Sequence, residues 1–327
     1  MKNRKRLCVI LALSLVLMLL IGAALLLGQN AGVKAPTIGV CFRQLSDGDS
    51  QEYKTILEAR LSYSGYKVMT ADAANDQSKQ DSQIAQMIKK GCDLLVVEPV
   101  MVAAADTVVN QLRKANVPLV FINREPAQQV MDSWDRLCYV GCDIANAGTV
   151  QGKIAAALPN KGDINGDGVT SYVILQAASD LADTQLRSDS CVAAMTQSGM
   201  SCVGLETVST DGSKDNAQLR CASLLSQYGK DVEVILCNTD EIAMGALEAV
   251  KEGGWNPGTD VYVLGIGGSA AAVEAVGQGT LNGTVIRDTN GLCDQVLGTV
   301  TQMLAGTRKE KTVYVDFLPI TKPEPVE

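Results

Sequence analysis

The sequence predicts an α/β protein with two doubly wound parallel-sheet lobes. Short apolar strand-like runs alternate with helical patterns, the signature of βαβ units. The alternation halts at a polar loop, Asp163–Ser171, and then restarts. A chain of 327 residues also has room for two domains, each burying its own core.

In the first half, apolar runs place strands at 37–42, 67–71, 93–98, 118–123 and 137–141, with helices between them at 51–63, 78–90 and 103–115. After the loop, strands fall at 171–176, 201–208, 232–238, 261–266 and 283–287. The helices between them are 184–198, 214–228, 242–252 and 270–276. A last helix at 293–305 leads to a strand at 312–317 and a proline-containing tail from Pro319. Open α/β sheets bind ligands beyond the carboxyl ends of their strands, so two such halves predict a cleft between them.

Composition removes several function classes. At 46% hydrophobic and 20% charged, the chain is globular and not disordered. Its net charge of −8 argues against nucleic acid as a partner, and taking Lys2, Arg4, Lys5 and Arg6 from that −8 leaves −12 on the rest. With no histidine there is no His acid–base pair, triad or His-ligated zinc. G-x-S-x-G, a Walker loop and a G-x-G-x-x-G after the first strand are all missing, so no enzyme is expected. A repressor reading would need a DNA-binding domain before residue 36, where an apolar span lies instead.

That span sets the compartment. Leu7 through Leu27 carries no charge and follows the basic cluster 2–6, which the positive-inside rule keeps cytoplasmic. At 1.5 Å per residue it covers about 30 Å. Residues 1–35 fit either an uncleaved membrane anchor or a long signal peptide, and both place the body outside the cytoplasm. Ten cysteines at irregular spacings, with no C-x-x-C pair, read mostly as buried thiols.

Asp163-Ile164-Asn165-Gly166-Asp167-Gly168-Val169-Thr170-Ser171 matches the first nine positions of a calcium loop. It has oxygen side chains at positions 1, 3 and 5, glycine at 6, a carbonyl at 7 and a hydroxyl at 9. Position 12, normally a bidentate Glu, is Ile174 within an apolar strand, so the last carboxylate must come from elsewhere. The plainer alternative is an Asp/Asn/Gly turn that binds nothing.

A calcium loop that runs into a strand and is completed by a distant Glu resembles the bacterial galactose/glucose-binding proteins of ABC import and chemotaxis. Further matching stretches are Asn75–Gln80, Val120–Pro126, Tyr139-Val140-Gly141 with Asp143, and Asn238-Thr239-Asp240 followed by Ala243-Met244-Gly245. The resemblance spans nearly all of 36–320. It implies the type I periplasmic-binding-protein fold, a monomer, and two lobes joined by a three-crossing hinge. Lobe one would be 36–142 plus 287–314, and lobe two 143–286 plus 315–327 with the calcium loop. It implies Glu233 as the distant carboxylate. With Asp163, Asn165, Asp167, the Val169 carbonyl and Ser171, that makes about seven oxygens, within the range calcium accepts.

The resemblance also implies ligand residues: Asp47, Asn123, Asp183 and Arg187, whose carboxylate, amide and guanidinium groups suit hydroxyls. Plainer roles exist for three of them: Asp47 as a turn residue, Asp183 as a helix N-cap, Asn123 as a strand stop. Other positions depart from the pattern. Asp49 and Gly212 stand where aromatic rings sandwich the sugar, and Leu181 stands for a His. Thr239 replaces an Asn, Gly267 an Asp, and Arg287 an Asn. With 4% aromatic residues, no substitute stacking ring is evident. Gly267-Gly268-Ser269 before a helix would expose amides suited to an anion. The ligand is therefore either a neutral hexose or polyol, or an acidic or phosphorylated sugar. The expected role is capture of a sugar or sugar-like ligand by hinge closure and delivery to ABC transporter membrane subunits. The alternative is a membrane-tethered sensory subunit that presents its closed form to a receptor or kinase.

Overall fold

The computed structural model describes residues 34–46, 48–177 and 181–322. The apolar stretch 7–27, Asp47 and the last residues of the tail lie outside them. Among the described residues, no helix is long and apolar enough to cross a membrane.

The chain alternates as expected through β1 (Thr37–Phe42), α1 (Gly48–Tyr63), β2 (Lys67–Asp72), α2 (Gln77–Lys89), β3 (Leu94–Val97), α3 (Ala105–Ala115), β4 (Leu119–Ile122), α4 (Gln128–Asp132) and β5 (Leu137–Gly141). It continues with α5 (Ile144–Ala156), β6 (Thr170–Ala177), α6 (Leu181–Gln197), β7 (Cys202–Thr210), α7 (Lys214–Tyr228), β8 (Val234–Cys237), α8 (Asp240–Glu252) and β9 (Tyr262–Leu264). It closes with α9 (Ala270–Gln278), β10 (Thr284–Arg287), α10 (Thr289–Leu304), β11 (Thr312–Tyr314) and β12 (Phe317–Ile320).

These strands form a six-stranded sheet ordered β11-β5-β4-β3-β1-β2, a four-stranded sheet ordered β7-β6-β8-β9, and the pair β10-β12. Pairing within both larger sheets is parallel, while β10 and β12 run antiparallel. Parallel sheets bury both faces, which is why β3, β4, β5 and β8 are apolar throughout and buried throughout. One face of the first sheet packs on α1 and α10 through Leu57, Leu61, Val296 and Val300. The other packs on α2 and α3 through Ile84, Met87, Val108 and Leu112. The second sheet is sandwiched likewise, with α7, α8 and α9 on one face and α5 and α6 on the other.

Four expectations change. Residues 128–132 and 144–156 form helices that the sequence reading left out, the second capped by the Asp143 carboxylate accepting from the Ala145 N–H. The expected strand 312–317 is two strands on different sheets: Val315 still donates to the Gly141 carbonyl, but the Phe317 N–H donates to Asn146 Oδ1 on α5. Pro319, read as tail, lies in β12 opposite Val285. Finally, α6 begins at Leu181, so Asp183 sits inside its first turn and is not the N-cap. A carboxylate there still complements the helix dipole. All nine described cysteines are free, and most are buried.

Candidate functional site

The carboxyl ends of both large sheets open onto two adjoining cavities of about 740 and 590 Å³. Asp49 and Tyr53 from α1 and Arg287 from the end of β10 line both, so the two form one continuous polar cleft.

On the first sheet's side, Asn123 follows β4 with φ 62°, a left-handed conformation that Asn tolerates and that stops the strand. Its Nδ2 donates to Glu98 Oε1 at 3.2 Å, which turns Oδ1 the other way, and that oxygen is buried without a hydrogen-bond partner among the described residues. Glu98 is 9% exposed and also accepts from the Arg43 N–H at 3.2 Å. Arg43 donates to Asn75 Oδ1, and Arg124 to the carbonyls of Pro99 and Val100. Phe42 and Tyr53 supply an edge-to-face aromatic pair with centroids 6.0 Å apart. These two residues border the cleft, but at 0% and 5% exposure their rings are packed against each other, and neither occupies a position where the resemblance puts a stacking ring.

On the second sheet's side, the Thr239 hydroxyl caps α8 by accepting from the Ile242 N–H, leaving its proton to donate. Arg187, on α6, donates to the Asn238 carbonyl at 3.3 Å. It lines the cleft with Thr239, Gly267 and Arg287. The expected amide nest for an anion is not present as a free nest. Gly267 N–H donates to the Val285 carbonyl, Gly268 N–H to Thr284 Oγ1, and Ser269 N–H to Asp240 Oδ2. Asp240 is 4% exposed, and a side chain at residue 267 would run into its Oδ2, 2.9 Å from an added Cβ. A carboxylate therefore holds this corner, which disfavours a second negative charge.

The structure thus gathers Asn123, Arg187, Thr239, Gly267 and Arg287 around one cleft. Asp183, half-buried one turn ahead of Arg187, is not among the lining residues, and neither is Gly212 in the turn after β7. Asp47 lies outside the described residues. Sequence reasoning missed Tyr53, Glu98 and Asp240. Glu98 carried the signal that flagged Asn123, a polar residue ending an apolar run, whereas Tyr53 sits mid-helix with nothing local to mark it.

The loop 163–171 turns its side chains inward. Asp163 accepts from the Gly166 and Gly168 N–H groups, Asn165 Oδ1 from Asp167, and Asp167 Oδ1 from Val169. Glu233, 1% exposed, reaches the loop from just before β8: Oε1 accepts from Ile164 and Asn165, and Oε2 from Ser171. Apart from Glu233 Oε1, which already accepts twice, these oxygens keep lone-pair capacity, and the donor set suits a hard cation. Among the described residues, no three Asp, Glu or Cys side chains converge to hold a metal by themselves. Any ion here would depend on the mixed set that includes Asn165, the Val169 carbonyl and Ser171.

A family profile described as a periplasmic binding protein domain matches residues 38–308. A D-galactose/methyl-galactoside binding periplasmic protein of Haemophilus influenzae is 31% identical over 232 residues, covering 68% of each chain. A putative rhizopine-binding protein of Rhizobium meliloti is 25% identical over 93% of this chain and 96% of its own. In fold, the chain is similar to a periplasmic ribose ABC transporter structure from Conexibacter woesei, with TM-score 0.74, 18% identity and coverage of 89% and 94%.

Proposed function

The chain belongs to the periplasmic binding protein family, and on that premise we propose that it captures a neutral sugar or cyclic polyol in this cleft and hands it to an ABC importer outside the cytoplasm. Like its relatives, it is a binding protein and not an enzyme. The observation that carries the ligand class is the polar chemistry of the cleft. Among the described residues Asn123 Oδ1 has no hydrogen-bond partner, and a ligand hydroxyl can satisfy it by donating. On the other wall, the amides of 267–269 are already engaged, and Asp240 stands beside them. Arg187, Thr239 and Arg287 would donate to the ligand's remaining oxygens.

The test is a thermal-shift screen of the purified protein against neutral hexoses, pentoses and inositols, set beside sugar acids and sugar phosphates. Stabilisation by neutral ligands is expected. Stabilisation by the anionic set alone would reject the neutral reading and put Arg287 at its centre.

Loop 163–171 is the place for a structural calcium ion, held by Asp163, Asn165, Asp167, the Val169 carbonyl, Ser171 and Glu233. Support comes from the inward side chains and the buried Glu233 that bridges loop and sheet. Bound there, the ion would neutralise carboxylates otherwise held together by backbone amides alone. Chelation with EDTA should lower the melting temperature while ligand binding persists, and Glu233→Gln should abolish that EDTA sensitivity. An identical melting curve with and without EDTA would rule the ion out.

A further inference from the structure

We propose that Tyr53 is a ligand-contacting residue that donates its phenol hydroxyl to a hydroxyl of the bound molecule. The inference rests on the reading of the cleft as a sugar or polyol site and adds a specificity residue to it.

Tyr53 shares the buried face of α1 with Leu57 and Leu61, the i, i+4, i+8 stripe that packs on the first sheet. The residue is 5% exposed, and its ring meets Phe42 at an interplanar angle of 79°. Packing alone would be served by Phe, so the hydroxyl needs its own explanation. It is buried and finds no hydrogen-bond partner among the described residues, an arrangement that folded proteins rarely leave unresolved. Burial, reinforced by Cys293 and Glu98 and partly offset by Arg287, pushes this phenol well above its ordinary pKa, so it keeps its proton to donate.

Tyr53 borders both cavities, and the first also holds the partnerless Asn123 Oδ1. Buried partnerless atoms occur elsewhere, as at Gln111 and Thr299, but neither of those residues lines the cleft. A donor and an acceptor carried by two residues that border one cavity match groups that both give and take a proton, and the hydroxyls of a polyol do both. The Asn123 amide is held in register for this by its bond to Glu98. In the free protein the phenol is a desolvated donor with nothing to bind, so its benefit appears only on binding.

Isothermal titration of the full chain with D-galactose, D-ribose and myo-inositol, on wild type and Tyr53→Phe, tests this. Tyr53→Phe should leave the ligand-free melting temperature equal or higher, because an unsatisfied buried group is removed, and should weaken binding by about 10-fold. Binding within about two-fold of wild type would identify the hydroxyl as a stranded core atom and overturn the inference while leaving the sugar cleft intact. A fall in both ligand-free stability and affinity would make the residue structural and overturn it too. Wild type that binds none of the three probes would remove the cleft reading itself, and this inference with it.

Discussion

Burial decides the chemistry of the thiols at the scale of single residues. Desolvation in the core is the largest cause that pushes Cys41, Cys221 and Cys293 up to about 12, and it lifts Cys142 to about 11. A thiol held neutral cannot attack a disulfide reagent, since the thiolate is the nucleophile. Among the described thiols, DTNB at pH 8 should therefore react slowly with the native protein and mainly at Cys202, which is half-buried, until denaturant releases the others. The same shifts fix an alkaline limit. The unfolded thiols lose protons first, near their ordinary value of 9.0, while the folded ones hold theirs to about 12. Their contribution to stability is thus complete below about pH 9 and drains away as pH rises through about 12. Urea midpoints should decline across that window, and a flat profile would contradict it. At this scale, Asn123 was legible as a polar residue closing an apolar run, while Thr239 and Arg287 came only through the resemblance. Tyr53 was not, because the sequence shows which side chain is buried on a helix but not whether its hydroxyl meets a partner.

The packing of α5 on α6 governs the cleft at the scale of elements. A side chain at Gly148 would fall on the Arg187 carbonyl oxygen, and one at Gly152 on that of Cys191. Without side chains on that face, the backbones approach closely enough to set Arg187 at the wall of the cleft. Gly148→Ala should cost about 1–3 kcal/mol by overpacking. It should also weaken ligand binding, because the backbone that carries Arg187 must move. A variant that melts and binds like wild type would show that the contact has slack. The element responsible, α5, was also absent from the sequence reading. Two glycines lower local helix propensity, and the helix exists because tertiary contacts outweigh that deficit. The break between β11 and β12 has a similar cause: Val313, Tyr314 and Val315 look like continuous strand, and only the acceptors offered by Gly141 and then Asn146 divide it.

At the scale of the molecule, the chain leaves the six-stranded sheet after β5 for the four-stranded one, returns to it from the β10-β12 pair after β10, and leaves it again for that pair after β11. Three passages of the chain beside a polar cleft suit a hinge that closes on ligand. Small-angle scattering should show a smaller radius of gyration once the protein is saturated with a sugar that stabilises it. An unchanged radius with full occupancy would mean that binding occurs without closure.

The sequence by itself determined the α/β class and nearly every strand, because parallel strands buried on both faces must be apolar runs, which remain visible without knowledge of their neighbours. It also marked the cleft to the extent that polar residues end those runs. Tertiary structure alone decided the order β11-β5-β4-β3-β1-β2 and the division of the last strand. It also engaged the amides of 267–269 with Val285, Thr284 and Asp240, and left Tyr53 and Asn123 each with a hydrogen bond unmet among the described residues. These outcomes turn on partners distant in sequence, and local propensity carries no information about which of them will arrive.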